Sequence, residues 1–113
     1  MRYVFDLDLT LCHSSGSRYE LSEPWPERIA FVNAIYNEGH EVTVFTARGM
    51  SSFSGNRWLA QIRWRRITEA QLRNWGLKYH KLILGKPAGD IYVDDKAVKA
   101  DDFFPTENRA LND

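Results

Sequence analysis

The sequence predicts an α/β fold built on a small, mostly parallel sheet. Four short apolar runs, Tyr3-Val4-Phe5, Val42-Thr43-Val44-Phe45, Leu82-Ile83-Leu84 and Ile91-Tyr92-Val93, have the length and β-branched content of buried strands. Each leads into a polar cluster, respectively Asp6-Leu7-Asp8-Leu9-Thr10, Thr46-Ala47-Arg48, Gly85-Lys86-Pro87 and Asp94-Asp95. Helical patterns fill the spaces from the first run to the third. The C-terminal ends of parallel strands share one edge, where open α/β sheets carry their ligand crevices. Asp6, Asp8, Thr46, Lys86, Asp94 and Asp95 therefore form one candidate constellation.

Behind the first run, Leu11 to Ser22 is a polar, Gly- and Ser-bearing loop holding His13, Arg18 and Tyr19. Pro26 suits the first turn of a helix, with Ile29, Val32, Ile35 and Tyr36 at helical spacing for a core-facing stripe and Gly39 as the stop. The second strand leads through the flexible stretch Gly49 to Gly55 into Arg57-Trp58-Leu59-Ala60-Gln61-Ile62-Arg63-Trp64-Arg65-Arg66. This segment reads as an amphipathic helix with arginines on its wet side and tryptophans packed on the sheet or on another subunit. The competing reading is a platform that stacks bases and meets phosphates. Thr68-Glu69-Ala70-Gln71 is a capping-box pattern opening a further helical turn or two, closed at Gly76. Only Gly85 to Asp90 separate the third and fourth runs. That is too short for the crossover helix that normally joins parallel strands, so an extended descent or a hairpin is expected. The tail from Asp101 to Asp113 is too polar and short to assign.

A chain of 113 residues holds one domain, spanning 1–113, with a single core. Asp6 and Asp8 fall inside what would have to be an apolar signal segment, and no run approaches a membrane span, so a cytoplasmic protein without a membrane partner is expected. Fifteen basic residues balance fifteen acidic ones, which argues against a generally nucleic-acid-binding surface without excluding the local Arg/Trp segment. Cys12, the single cysteine, has no disulfide partner; it reads as a small semi-buried filler or as a reactive thiol beside the site. His13, His40 and His80 share no metal-ligand spacing.

Carboxylates gathered at one edge repel each other. Two of them about 4 Å apart cost on the order of 4 kcal/mol at an effective dielectric near 20, so such a cluster calls for a cation. An all-oxygen, carboxylate-rich set suits Mg²⁺. An isolated Asp-x-Asp-x-Thr is equally compatible with an Asp-rich turn; here three further polar stops accompany it.

In order and spacing, Asp6-x-Asp8-x-Thr10, Thr46, Lys86 and Asp94-Asp95 resemble the four motifs of the haloacid dehalogenase (HAD) superfamily of aspartate-nucleophile phosphatases, over nearly the whole chain. The stretches VFTAR, GKP and IYVDDKA further resemble small capless members, including those of capsular polysaccharide biosynthesis and phosphosugar metabolism. The resemblance implies a three-layer Rossmann-like core without a cap domain. It implies Asp6 as the nucleophile, forming an aspartyl phosphate, and Asp8 as the general acid and base. It implies Mg²⁺ held by Asp6, Asp8 (through its backbone carbonyl), Asp94 and Asp95, with Thr46 and Lys86 on the transferring phosphoryl group. Thr46, Ala47, Arg48 and Lys86 are the candidate substrate-binding residues. Arg48 suits a bidentate grip on a substrate carboxylate or phosphate, or a structural salt bridge to Asp94 or Asp95. Lys86, beside Gly-Pro-Ala-Gly, is alternatively a solvated turn residue.

In the family the Leu11–Ser22 region forms a short flap over the site, so His13, Arg18 and Tyr19 are candidates for substrate contact, exposed loop polarity being the alternative. Asp8 fits phosphatases and phosphotransferases rather than dehalogenating members, which lack it. Leu9 stands where the family often has glycine. The expected activity is a Mg²⁺-dependent phosphomonoesterase acting on a small phosphorylated substrate such as a sugar phosphate, with a homo-oligomer lending the Trp-rich helix as cover. The alternatives are a nucleotide or nucleic-acid-end phosphatase and a non-catalytic phosphate-sensing or scaffold protein.

Overall fold

The computed structural model describes residues 1–16 and 18–105. Three of the apolar runs are strands of one parallel sheet: β1 (Arg2–Phe5), β4 (Glu41–Thr46) and β5 (Lys81–Leu84), with β4 in the middle. Two short antiparallel strands, β2 (Cys12–His13) and β3 (Glu23–Pro24), form a separate ribbon between β1 and the first helix. The parallel register pairs Phe5 with Val44 and Val44 with Leu82, so these three stand level, and β4 and β5 run two residues beyond the end of β1, to the paired Thr46 and Leu84.

Side chains alternate across a strand, and the register puts Tyr3, Phe5, Val42, Val44, Leu82 and Leu84 on one face, with Val4, Thr43, Phe45 and Ile83 on the other. The helices α1 (Pro26–Asn37) and α2 (Arg57–Asn74) are the crossovers from β1 to β4 and from β4 to β5. Because both crossovers step the same way across the sheet, the right-handed rule sets both helices on one face. Their mutual contact agrees: Asn33 on α1 donates to the Gly76 carbonyl and accepts from the Lys78 amide at the end of α2. The short α3 (Ala100–Phe103) joins them, Phe103 and Phe104 stacking edge-on against Phe31 and Phe103 also meeting Tyr3 and Phe5.

The expected three layers are therefore two among the described residues. The opposite face stays partly open, with Val4 64% and Ile83 45% exposed. No helix of the described residues is long and apolar enough to cross a membrane.

Helix α1 begins at Pro26, whose fixed φ and missing N–H suit the first helical position, and it buries Ile29, Val32 and Ile35 as the spacing predicts. Asn56 caps α2 by accepting from the Trp58 and Leu59 amides. The capping box at Thr68 is a correction: α2 runs unbroken from Arg57 to Asn74. Thr68 lies mid-helix, where the amides of a following turn already have partners, on the buried stripe Ala60, Trp64, Thr68 and Leu72. Of the tryptophans, Trp64 packs edge-on against Tyr19 at 4.9 Å while Trp58 is 71% exposed.

The fourth strand is also a correction. Ile91–Val93 forms no strand, and Ile91 and Val93 are 81% and 93% exposed. The short connection cannot carry the chain across to a parallel neighbour, and the segment closes on itself instead. Tyr92 donates its hydroxyl proton to the Pro87 carbonyl at 2.6 Å and accepts from the Gly89 amide at 2.9 Å. Of the unassigned tail, Ala100–Phe103 is α3, and 106–113 lies outside the described residues.

Gly49 has φ +80°, and a Cβ there would sit 2.7 Å from Trp64 Cδ1 and 3.2 Å from the Ala60 Cβ. Gly39, at φ +96°, faces open space. Gly49→Ala is therefore expected to lower stability by about 2–4 kcal/mol, backbone strain plus overpacking, and Gly39→Ala by only about 1–2. Urea denaturation of the two variants followed by tryptophan fluorescence checks the ranking, and equal losses would refute the tight Gly49–Trp64 approach.

Candidate active site

Immediately past β1 the chain turns tightly, Leu9 N–H donating to Cys12 O and Leu11 N–H to Leu7 O, both at 2.8 Å. Leu7 and Leu11 are buried and anchor the turn, which leaves Asp6, Asp8 and Thr10 half-exposed between them. Leu9 takes φ +63°, the left-handed conformation that a glycine would adopt freely and that costs a side-chain-bearing residue about 1–2 kcal/mol. Strain of this kind persists where surrounding structure over-determines the backbone.

Lys86 reaches back to this turn. Its Nζ lies 3.4 Å from Asp6 Oδ1 and 4.3 Å above the Tyr92 ring, while Gly85 and Lys86 amides both donate to the Thr46 carbonyl at 3.1 Å. Lys86 is thus held at the strand ends by its backbone and by an aromatic floor, and the solvated-turn reading fails. Thr10 donates its hydroxyl proton to Asp6 Oδ2 at 3.4 Å. Burial pushes the Asp6 carboxyl above its usual 3.8, the Lys86 charge and the Leu7 amide pulling back only in part. Thr46 is 1% exposed at the end of β4; its hydroxyl accepts from the Arg48 amide at 3.2 Å and keeps its own proton to donate.

Arg48 is a correction of the expected substrate contact. Its side chain has no solvent exposure, and all five N–H groups are used inside the protein. Nε donates to Asp8 Oδ2 at 3.0 Å and Nη2 to Asp8 Oδ1 at 2.9 Å and Ser22 Oγ at 3.3 Å, while Nη1 serves Thr68 Oγ1 and Gln71 Oε1. The salt bridge runs to Asp8, not to Asp94 or Asp95, because Arg48 and Asp8 flank adjacent strand ends. Ser14 also donates to Asp8 Oδ1. Gln71 Nε2 donates onward to the Tyr19 carbonyl, and the Tyr19 ring lies under the Arg48 guanidinium at 5.1 Å. Tyr19 is therefore packed into the site's wall, whereas His13 and Arg18 are exposed on the ribbon loop.

Thr68, Gln71, Ser14 and Ser22 were not among the sequence-derived candidates. For Thr68 a signal existed, since it falls four residues after Trp64 on the buried stripe of α2, where an unpartnered hydroxyl is costly. Cys12 is buried, its thiol pushed up to about 11 chiefly by desolvation, which fits the filler role and not a reactive thiolate.

Asp6, Asp8, Thr46 and Lys86 thus meet at the strand ends, with Ala47 between Thr46 and the buried Arg48, and Asp94 and Asp95 do not join them. Both lie exposed on the loop beyond Tyr92, where Asp94 Oδ1 accepts from the Lys96 amide, a bond that holds its carboxyl below the usual range. Among the described residues no three His, Cys, Asp or Glu side chains are grouped to hold a metal ion. The four-aspartate Mg²⁺ set is therefore not formed: with Ile91–Val93 out of the sheet, its last two ligands are not carried to the edge.

No family model and no curated protein matches the chain. Among solved structures, the crystal structure of an MCSG target from Vibrio cholerae matches with a TM-score of 0.85 and 26% identity, covering 98% of this chain and 93% of that one. The likeness supports the α/β fold and names no activity.

Removing the Arg48 guanidinium strands a half-buried carboxylate, a buried hydroxyl and an amide together. Arg48→Met is expected to lower stability by about 3–5 kcal/mol in urea denaturation, well beyond a surface arginine such as Arg66. For Asp6 the sign runs the other way. Its raised folded pKa favours the protonated form, so ionising it costs the folded state stability as pH rises through that value. In metal-free protein, Asp6→Asn should be more stable than the parent at neutral pH, an advantage that shrinks as the pH falls towards 3.8 and below. Thermal melts across pH check it; a variant less stable at neutral pH refutes it.

Proposed function

We propose that this protein is a phosphomonoester hydrolase of the HAD type that works through an aspartyl phosphate on Asp6. The single observation that supports the reading most is the Asp6–Lys86 pair at the strand ends: a carboxylate with an ammonium group 3.4 Å away, beside the Thr46 strand end. A carboxylate is already nucleophilic without an activating base, and a lysine at that distance offsets the charge of an incoming phosphoryl group.

An Asp6 oxygen bonds to phosphorus as the ester P–O bond breaks, and the departing oxygen takes a proton from Asp8. Water then attacks phosphorus, gives its proton to Asp8 and releases inorganic phosphate, restoring Asp6. The proton-carrying atom is Asp8 Oδ2, which accepts only the Arg48 Nε–H bond among the described residues, whereas Oδ1 is already crowded by Arg48 and Ser14. Lys86 and the Thr46 hydroxyl bind the phosphoryl oxygens, and among the described residues no cap covers the leaving group. A small phosphorylated metabolite such as a sugar phosphate is the proposed substrate. Mg²⁺ belongs to this reading through the resemblance alone, the donor set around Asp6 being incomplete.

A second reading rests on α2, where Trp58 and Ile62, one helical turn apart, are largely exposed and Arg57 and Arg63 are exposed as well. The same surface supports either a nucleotide or nucleic-acid-end substrate or a homo-oligomer contact. Strong salt dependence of oligonucleotide binding favours the nucleic acid, and a dimer in light scattering that Trp58→Ala dissolves favours the oligomer.

Phosphate release from sugar phosphates, nucleotides and end-phosphorylated oligonucleotides, with Mg²⁺ and with chelator, tests the proposal. Asp6→Asn is expected to reduce turnover by about 10³-fold or more, and Lys86→Met by about 10²–10³-fold. Turnover retained in Asp6→Asn would sink the mechanism, and silence across the panel would leave a phosphate-binding protein without catalysis.

A further inference from the structure

Next to the strand ends lies a cavity of about 640 Å³ that the phosphoryl chemistry leaves unused. Phe45, Met50, Ser54, Arg57, Gly85 and Pro87 line it, so its walls come from the residue before Thr46 and from those on either side of Lys86. Two of the three chain positions that handle phosphate thus have neighbours facing this space. The walls are mainly apolar, with the hydroxyls of Ser51 and Ser54 and one cation.

That cation is placed with care. The stem of Arg57 lies directly over Gly85, so close that a Cβ on Gly85 would come within 2.5 Å of Arg57 Cδ and 2.7 Å of its Cγ. Gly85 has φ +100°, and the missing side chain is what lets the arginine stem lie against the backbone in the cavity wall. Among the described residues the Arg57 guanidinium makes no hydrogen bond or ion pair, a state it shares with Arg2, Arg18, Arg63, Arg66 and Arg73, and what sets Arg57 apart is its place in the cavity wall. An apolar pocket of this size with one convergent charged group is the usual form of a small-molecule site.

We propose that this cavity is the leaving-group subsite, and that it takes phosphomonoesters whose alcohol portion has an apolar surface for Phe45, Met50 and Pro87 and a second negative charge for Arg57. The proposal rests on the hydrolase reading. It narrows the small phosphorylated substrate to one whose leaving group adds a second negative charge, with Ser51 and Ser54 at hand for its hydroxyls.

The test compares kcat/KM for 4-carboxyphenyl phosphate and phenyl phosphate, and follows the Met50 methyl signal by NMR as free 4-hydroxybenzoate is added. The parent is expected to favour the carboxylated ester by about tenfold or more, and 4-hydroxybenzoate to shift the Met50 signal. Arg57→Gln should bring the ratio close to one and abolish the shift, and Arg57→Lys should restore part of both. Hydrolysis of both esters at equal efficiency, with Met50 undisturbed, overturns the subsite and leaves the hydrolase reading standing. A Met50 shift without phosphate release from any ester overturns the hydrolase reading, and with it the assignment of the cavity to a leaving group.

Discussion

The ion pair between the buried Arg48 and the half-buried Asp8 is the interaction on which the rest of the structure depends. One guanidinium, fully removed from solvent, collects Asp8 from the turn after β1, Ser22 from the ribbon, and Thr68 and Gln71 from α2, while its own backbone sits at the end of β4. Four segments distant in the chain are thereby held in one place. A buried pair adds little net stability over hydrocarbon of the same shape, because desolvating both charges offsets their attraction. Its physical effect is specificity: an arrangement that fails to satisfy all five donors leaves orphaned polar groups in the core.

That anchor also places two aspartates of the same type in different surroundings. Asp8 is gripped by a rigid fork and by Ser14, whereas Asp6 faces a single flexible ammonium group and loses more to burial than it regains. Local strain accompanies the difference, with Leu9 in a left-handed conformation between Asp8 and Thr10. A half-buried carboxylate beside strained backbone is unfavourable for stability alone, which supports the proposed reading of these strand ends.

Much of this was legible in short-range patterns. Tyr3-Val4-Phe5, Val42–Phe45 and Leu82–Leu84 became strands, and Pro26 began a helix whose stripe of Ile29, Val32 and Ile35 is buried. The meeting of Asp6 with Lys86 followed from parallel strands sharing an edge. Thr68-Glu69-Ala70-Gln71 misled because a capping box and a mid-helix turn have the same composition, and only a partner reached from 20 residues away tells them apart. Ile91-Tyr92-Val93 misled because β-branched content says that a segment can form a strand, while a free partner edge and a long enough connection decide whether it does.

The sequence by itself determined the α/β class, the places where the strands stop and the identity of the acidic and basic groups gathered there. All of these depend on periodicities of two and 3.6 residues and on turn chemistry within a few positions. Only the tertiary structure decided that Arg48 belongs to Asp8 rather than to a ligand, that the helices cover one face of the sheet, and that Asp94 and Asp95 stay apart from Asp6. Those outcomes depend on which groups meet across long stretches of chain and on which buried donors remain to be satisfied, quantities that no local pattern encodes.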